Sequence, residues 1–248
     1  MNKVEIVPSM PNREFLLKYA QPGRVGLAGG GGVFDKAIRK AERRIDPKQP
    51  PSLWSHAFLF EGCRADGQHW VIESDLEIHH KHIRLGVQEN RITKYFDEKV
   101  YPWLAVLDFG LTPEQVAALL GEGLEMVAGR VRYSVRELAG TFMRLRRPEL
   151  RAHDNPLARR KSLFCSAFVT HVFRKIDVDL APGLNEKHTT PEDISRTPIP
   201  HDTFLLRRDV ARRSIRERIR RLGRAAKVRH KKQIRKVRTV LTAKRTRP

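Results

Sequence analysis

Residues 54–74 of the chain read WSHAFLFEGCRADGQHWVIES. Two short apolar runs, at 54–60 and 69–74, flank a polar stretch at 61–68 that contains two glycines and an aspartate. Runs of this length that are rich in aromatic and branched residues are typical of largely buried strands, and Gly with Asp is typical of turns. The stretch therefore predicts an antiparallel hairpin with a long loop.

This hairpin brings a histidine and a glutamate together if its strands pair in the simplest register. With Phe60 opposite His69, His56 lies opposite Glu73. Directly opposed side chains share a face of the sheet, with Cβ atoms about 5 Å apart. A slip of one residue would send the two side chains to opposite faces. In the simplest register, we expect Glu73 to orient the His56 imidazole and to stabilise its protonated form.

Cys165, one of two cysteines in the chain, lies in the segment 162–169, where an amphipathic helix is expected to begin. The first turn of a helix presents unpaired N–H groups and the positive end of the dipole, and both favour a thiolate. A cysteine, a histidine and a carboxylate are the groups of a site for acyl transfer to sulfur, in which backbone N–H groups beside Cys165 hold the oxyanion.

Each of these residues also has a purely structural interpretation. A cysteine on an apolar helix is usually a small core residue. His56 alone is compatible with a hydrogen-bonded sheet residue, and Glu73 alone with an exposed strand residue. The combination of Cys165, His56 and Glu73 favours the catalytic interpretation, whereas Cys63, in the hairpin loop, is interpreted as incidental.

Further elements are indicated by periodicity and by turn residues. Thr112 is the expected N-cap of a helix that has Pro113 at its first position. The other predictions used below are strands at residues 23–27 and 103–109 and a turn at residues 190–195, which is followed by a short apolar run at residues 203–206.

Two segments invite a ligand-binding interpretation. The glycines at 29–32 precede a helical pattern, but the Gly-Lys-Ser/Thr ending of a phosphate-binding loop is missing, so a flexible turn is favoured. His79, His80 and His82 are spaced closely enough to share a metal ion. Glu77 is nearby, but no second ligand group has a suitable spacing, so a solvated loop is favoured. The sequence therefore predicts no metal and no cofactor.

The positive charge of the chain is concentrated at its C-terminal end. The 248 residues carry a formal net charge of +21, of which residues 207–248 contribute +17 through nineteen Lys or Arg and two acidic residues. We place a boundary there, with a catalytic domain at 1–206 and a basic helical or disordered tail at 207–248. Such a tail favours sequence-independent contact with nucleic acid or an anionic lipid surface, against the alternative of a merely solvated extension.

The N-terminal residues 1–23 are interrupted by charged side chains and do not resemble a secretory signal, and no window approaches a membrane span. The two cysteines do not resemble a disulfide framework, so reduced thiols are expected. We therefore expect a cytoplasmic protein, with export by a route that uses no signal left open.

The order of these motifs resembles that of circularly permuted papain-like proteins related to NlpC, the YiiX-like cysteine hydrolases. In that family a Ser-His strand precedes the Cys-Ser helix, the reverse of the order in papain, and a glutamate follows on the next strand. The resemblance covers roughly residues 22–200. It is carried by residues 23–27, 54–59, 71–74, 129–133, 164–169 and 190–193.

The resemblance implies an α+β fold in which a small antiparallel sheet or barrel packs against helices. It also implies that Cys165 is the nucleophile, His56 the base and Glu73 the residue that orients it. Tyr133 and Ser166 become candidates for contact with the substrate, whereas Ala167 departs from the polar residue that relatives often carry.

The implied activity is hydrolysis or acyl transfer on an amide or ester of a peptide-like, acyl-amine or lipid acyl substrate. The alternative is a non-catalytic binding or delivery protein that retains the fold and acts through its basic tail. The sequence leaves the substrate and the oligomeric state open.

Overall fold

The computed structural model describes residues 3–8, 10–30, 52–79, 82–129 and 165–207. Seven strands from these ranges form one sheet in the order β1-β7-β6-β2-β3-β4-β5. The β1–β7 pair is parallel, and every other neighbouring pair is antiparallel. The strands are β1 (Val4–Pro8), β2 (Val25–Gly29), β3 (His56–Cys63), β4 (His69–His79), β5 (His82–Arg91), β6 (Trp103–Asp108) and β7 (Asp202–Arg207).

Helices in the described ranges cover both faces of this sheet. They are α1 (Asn12–Tyr19), α2 (Pro113–Ala128), α3 (Cys165–Arg174) and α4 (Pro191–Ser195), with 3-10 turns at Ile92–Phe96 and Glu186–His188. The described residues thus form an α+β fold, as predicted, although the sheet is larger than the small one expected.

Helix α2 begins as the sequence predicts. Thr112 is its N-cap, the Thr112 hydroxyl accepts a hydrogen bond from the Gln115 N–H, and Pro113 occupies the first turn. The predicted turn at residues 190–195 is wrong, because these residues form helix α4. The same capping box recurs there between Thr190 and Asp193, and this reciprocal pair of hydrogen bonds stabilises the start of a helix rather than an open turn.

The alternation of β3 divides the core into two clusters. Ala57 and Leu59 pack on one side with residues of α2 and α3, such as Phe168. Phe58 and Phe60 point to the other side and pack with α1 and the 3-10 turn Ile92–Phe96. Because both faces of the sheet are covered, the central strands are apolar on both sides and their position is fixed by burial.

A close approach between strands places an aromatic ring beside the start of β3. Gly26 pairs with Phe58, and a Cβ atom at position 26 would lie 2.2 Å from a carbon of the Phe58 ring. The absent side chain leaves room for this ring, which stacks on Tyr95 at a centroid distance of 4.2 Å. The imidazole of His56 packs beside both rings of this stack.

The hairpin is longer than predicted at both ends. β3 continues to Cys63, and β4 runs on to His79, where it pairs with His82 at the start of β5. The predicted solvated loop around residues 77–82 is therefore wrong for residues 77–79 and 82, which belong to a second hairpin. A run that pairs with a neighbour over its whole length satisfies its backbone groups better as strand than as loop.

The chain divides into two units between Arg207 and Arg208. Strand β7 includes Arg207. Tyr133, the glycines that follow Gly30 and the basic residues from 208 onward lie outside the described residues. No helix within the described ranges is long and apolar enough to cross a membrane.

Candidate active site

The carboxylate of Glu73 is the centre of a buried polar cluster on β4. Its side chain is 0 % exposed, and it accepts hydrogen bonds from four donors. These are His56 Nε2 at 2.5 Å, Asn90 Nδ2 at 2.7 Å, Lys94 Nζ at 2.7 Å and the Tyr95 hydroxyl. Both carboxylate oxygens are therefore satisfied, as a buried charge requires.

These contacts keep Glu73 ionised. Burial alone would raise the pKa of Glu73, but the positive charge of Lys94 and the hydrogen bond and charge of His56 lower that pKa far below its usual range. An ionised carboxylate is only an acceptor, so His56 Nε2 must donate its proton to Glu73. The Glu73 contact therefore fixes the orientation of the ring and leaves Nδ1 as the nitrogen available to another group.

His56 is the first residue of β3 and its side chain is 14 % exposed. The imidazole lies beside the rings of Phe58 and Tyr95, with centroid distances of 6.2 and 6.3 Å. Burial lowers the pKa of His56, but the charge and hydrogen bond of Cys165, followed by those of Glu73, raise this pKa well above its usual value. The surroundings thus favour the imidazolium form.

Cys165 is the first residue of α3 and is partly buried. The apolar face of α3 packs against β3 and β4, which holds the start of the helix near His56, the first residue of β3. The Cys165 side chain is close enough to His56 to raise the pKa of the imidazole through its charge and its hydrogen-bonding capacity. Residues 109 positions apart in the sequence are thus neighbours, and the backbone N–H groups of the first turn of α3 lie beside the sulfur, because Cys165 begins that turn.

Helix α3 is also fixed by a polar contact away from the sulfur. His171 lies between two carboxylates, with Nδ1 3.2 Å from Glu186 and Nε2 3.3 Å from Glu122. The hydrogen bond to Glu186 raises the pKa of His171, so the charged form is favoured. This arrangement connects α3 with α2 and with the 3-10 turn Glu186–His188, which stabilises the position of the helix that carries Cys165.

The predicted register of the hairpin is wrong, although the contact it predicted between His56 and Glu73 is present. Phe60 pairs with Val71 rather than with His69, because β3 extends to Cys63 and a bulge separates Phe60 from Gly62. Extended along β3, the observed register places His56 opposite Asp75 rather than opposite Glu73, two residues from the predicted pairing. Glu73 is then a diagonal neighbour of His56. A shift of two residues keeps each side chain on its face of the sheet, and diagonal neighbours remain within reach of long side chains.

Sequence reasoning missed the residues that surround Glu73. Asn90 lies on β5, while Lys94 and Tyr95 belong to the 3-10 turn that follows it. No motif marks these residues, and their separation from Glu73 in sequence gives no signal. Asp75 was detectable, because it lies two positions after Glu73 on the same strand and so shares its face.

Ser166 and Tyr133 were the predicted contacts with a substrate. Ser166 is 2 % exposed, and its hydroxyl donates a hydrogen bond of 2.6 Å to the Thr189 carbonyl. This bond connects the first turn of α3 with the segment before α4, which is a structural role. A substrate contact at Ser166 stays a prediction, as does one at Tyr133, which lies outside the described residues.

A metal ion is a second possibility for this cluster, because donor atoms of His56, Glu73 and Asp75 all lie within 4.8 Å of one another. The Lys94 ammonium, however, contacts both Glu73 and Asp75 and already neutralises part of their charge. Tyr95 and Asn90 further occupy the oxygens of Glu73. We assign no metal to these residues, since their oxygens already have donors within the chain.

Comparison with known proteins gives a likeness of low similarity to a solved structure. No family model matches the chain, and no curated protein matches it. Among solved structures, the chain is similar to the crystal structure of metalloprotein yiiX from Escherichia coli O157:H7, DUF1105. The TM-score is 0.48 with 14% sequence identity, and the match covers 77% of this chain and 98% of that one.

Proposed function

We propose that this protein is a cysteine-dependent hydrolase or acyltransferase that acts on an amide or ester. The observation that supports the proposal is the arrangement of two groups, a carboxylate and a thiol, around one imidazole. His56 Nε2 lies 2.5 Å from the buried carboxylate of Glu73, and the same side chain interacts with the Cys165 thiol. A nucleophile, a base and a group that orients the base form the minimum set for acyl transfer through sulfur.

In the first step of the proposed reaction, His56 Nδ1 takes the proton of the Cys165 thiol, and the sulfur attacks the acyl carbon of the substrate. The oxygen of that carbonyl becomes negatively charged and is stabilised by N–H groups in the first turn of α3. The bond between the acyl carbon and the leaving nitrogen or oxygen then breaks. The imidazolium returns its proton to the leaving group, and the acyl group remains on Cys165 as a thioester.

The second step decides between hydrolysis and acyl transfer. His56 takes a proton from water, an alcohol or an amine, which attacks the thioester carbon. The carbon–sulfur bond breaks, and the thiolate recovers the proton from His56. Water gives a carboxylic acid, whereas an alcohol or amine gives a new ester or amide. We propose peptide-like, acyl-amine or lipid acyl groups as the substrate class.

We also propose that the fold is a permuted papain-like one. What supports this is the order of the three residues along the chain, with His56 on β3, Glu73 on β4 and Cys165 on the later helix α3. A mostly antiparallel sheet with α3 packed against it is compatible with the same interpretation.

The acyl step is tested with an activated ester and a protein in which Cys63 is replaced by serine. Time-resolved mass spectrometry is expected to find one acyl group on the peptide that contains Cys165, and its amount should rise and then fall as water releases it. Cys165→Ser is the matched control and should carry no thioester. An ester that acylates both variants equally would contradict the proposed nucleophile.

A second proposal concerns the basic residues that follow β7, because residues 208–248 contain eighteen Lys or Arg and two acidic residues. We propose that they bind anionic lipid or nucleic acid without sequence specificity. If the site were inactive, this binding would be the function of the chain.

Removal of residues 208–248, which leaves β7 intact, is expected to abolish retention on heparin and on vesicles of anionic phospholipid at low salt. Alkylation of Cys165 should be unchanged in the truncated protein. The matched control is a scrambled tail of the same composition, which should restore retention, since the contact depends on charge. Equal retention of the full and truncated chains would refute the proposal.

A further inference from the structure

We propose that Lys94 and Asp75 are positioning residues of the same site, which set the net charge beside His56 and thereby the pH range in which Cys165 reacts. This inference rests on the proposed function. It adds two residues that do not touch the reacting atoms but act through Glu73 and His56.

Lys94 is held in place by the turn that carries it. The 3-10 turn Ile92–Phe96 buries Ile92 and Tyr95 in the core. The Asn12 side chain, on α1, donates hydrogen bonds of 2.9 Å to the carbonyls of Tyr95 and Tyr101. The ammonium of Lys94 thus reaches Glu73 from a fixed backbone rather than from a loose loop.

The Lys94 ammonium bridges two carboxylates. It lies 2.7 Å from Glu73 Oε1 and also contacts Asp75 Oδ2. The side chains of Lys94 and Asp75 are 23 and 24 % exposed, whereas Glu73 is fully buried. The ion pair is thus partly shielded from water. A unit charge has a larger effect on its neighbours in such a place than at the open surface.

Asp75 lies close enough to act on the imidazole. Extension of the β3–β4 register places it opposite His56, and donor atoms of His56, Glu73 and Asp75 lie within 4.8 Å of one another. Among the residues that the structure describes, the ionisable groups that face the cluster come from four elements. They are His56 on β3, Glu73 and Asp75 on β4, Lys94 and Tyr95 on the 3-10 turn and Cys165 on α3, with Tyr101 behind Tyr95.

The charges of Glu73, Asp75 and Lys94 give this cluster a net charge of about −1 at neutral pH. Loss of the Lys94 charge makes the cluster more negative, which disfavours a second negative charge on the Cys165 sulfur. Loss of the Asp75 charge has the opposite effect. Loss of both restores the original net charge.

The test follows the pH dependence of Cys165 alkylation by iodoacetamide, in chains that carry Cys63→Ser. In Lys94→Met the acid limb of the rate profile is expected to move to higher pH by about one unit, and in Asp75→Asn to lower pH by about one unit. The double variant should return to the wild-type profile. Lys94→Arg keeps the positive charge and should therefore retain the wild-type profile. Lys99→Met makes the same change at an exposed position nearby and should leave the profile unchanged.

A purely structural role would not give opposite shifts that cancel. Shifts in the same direction, or no shift in either single variant, would overturn the inference while alkylation still depends on His56. Loss of the dependence on His56 itself would overturn the proposed function instead. If circular dichroism shows that Lys94→Met does not fold, the Asp75→Asn variant provides the test by itself. An acid limb of its rate profile that stays in place or moves to higher pH contradicts the inference.

Discussion

In the His56→Ala variant, the rate constant for alkylation of Cys165 at neutral pH is expected to fall by about 100-fold, the lower end of the effect of a positioned acid or base. The imidazole is the group through which the thiol loses its proton, and Glu73 holds that imidazole through Nε2. Without the ring, the sulfur loses its proton acceptor, and the helix N-terminus does not replace that function. A time course of alkylation followed by mass spectrometry measures the rate constant.

His69→Ala is the matched control for this prediction. His69 begins the strand that carries Glu73 but pairs with Cys63, at the opposite end of the hairpin from His56. Its removal should leave the rate constant for Cys165 within about 2-fold of the wild type, because it lies four residues along β4 from Glu73, and distant sites act nearly independently. Equal losses in both variants would point to a general disturbance of the hairpin.

Replacement of Glu73 by leucine is expected to lower the free energy of unfolding by about 3–5 kcal/mol, the usual cost of breaking a buried ion pair from one side. The change leaves Lys94 without one of its two carboxylates and deprives Tyr95 and Asn90 of their acceptor. Urea unfolding followed by circular dichroism measures the loss. Glu89→Gln is the control, since Glu89 pairs with Arg64 at a partly exposed position and should cost less than about 1 kcal/mol.

The stabilisation by Glu73 has a defined pH dependence. The pKa of Glu73 in the folded chain lies below its usual value, so the stabilisation is fully present above the unfolded pKa of about 4.3. It is lost progressively as the pH falls below that value towards the folded pKa. The difference between the wild type and Glu73→Leu should therefore narrow in acid. A difference that is small at neutral pH, or that widens in acid, would contradict the role given to the buried carboxylate.

The sequence predicted the parts of the fold that local patterns determine. The β3–β4 hairpin, β6 and the cap of α2 follow from apolar runs and from Thr112-Pro113. The bulge after Phe60 was not detectable, because it depends on how the strands pack rather than on any one residue. The face shared by His56 and Glu73 was still predicted, since a register error of two residues preserves it.

The candidate site was only partly accessible from the sequence. Cys165, His56 and Glu73 were predicted because each residue type has a known role in acyl transfer. The cation that offsets the charge of Glu73 comes from a 3-10 turn 21 positions further on, and only the path of the chain brings Lys94 there. Long-range charge pairs of this kind are determined by tertiary packing. No local sequence motif around Lys94 indicates that it pairs with Glu73.

The central claim is that His56 activates Cys165, and competition between the two cysteines for one thiol probe tests it most directly. Cys63 is exposed, whereas Cys165 is partly buried, so accessibility alone predicts that Cys63 reacts first. With limiting iodoacetamide at neutral pH, we predict that Cys165 is labelled at least about 10-fold faster than Cys63 in the wild type, and that this order is reversed in His56→Ala. Faster labelling of Cys63 in the wild type, or the same ratio in both proteins, would contradict the account.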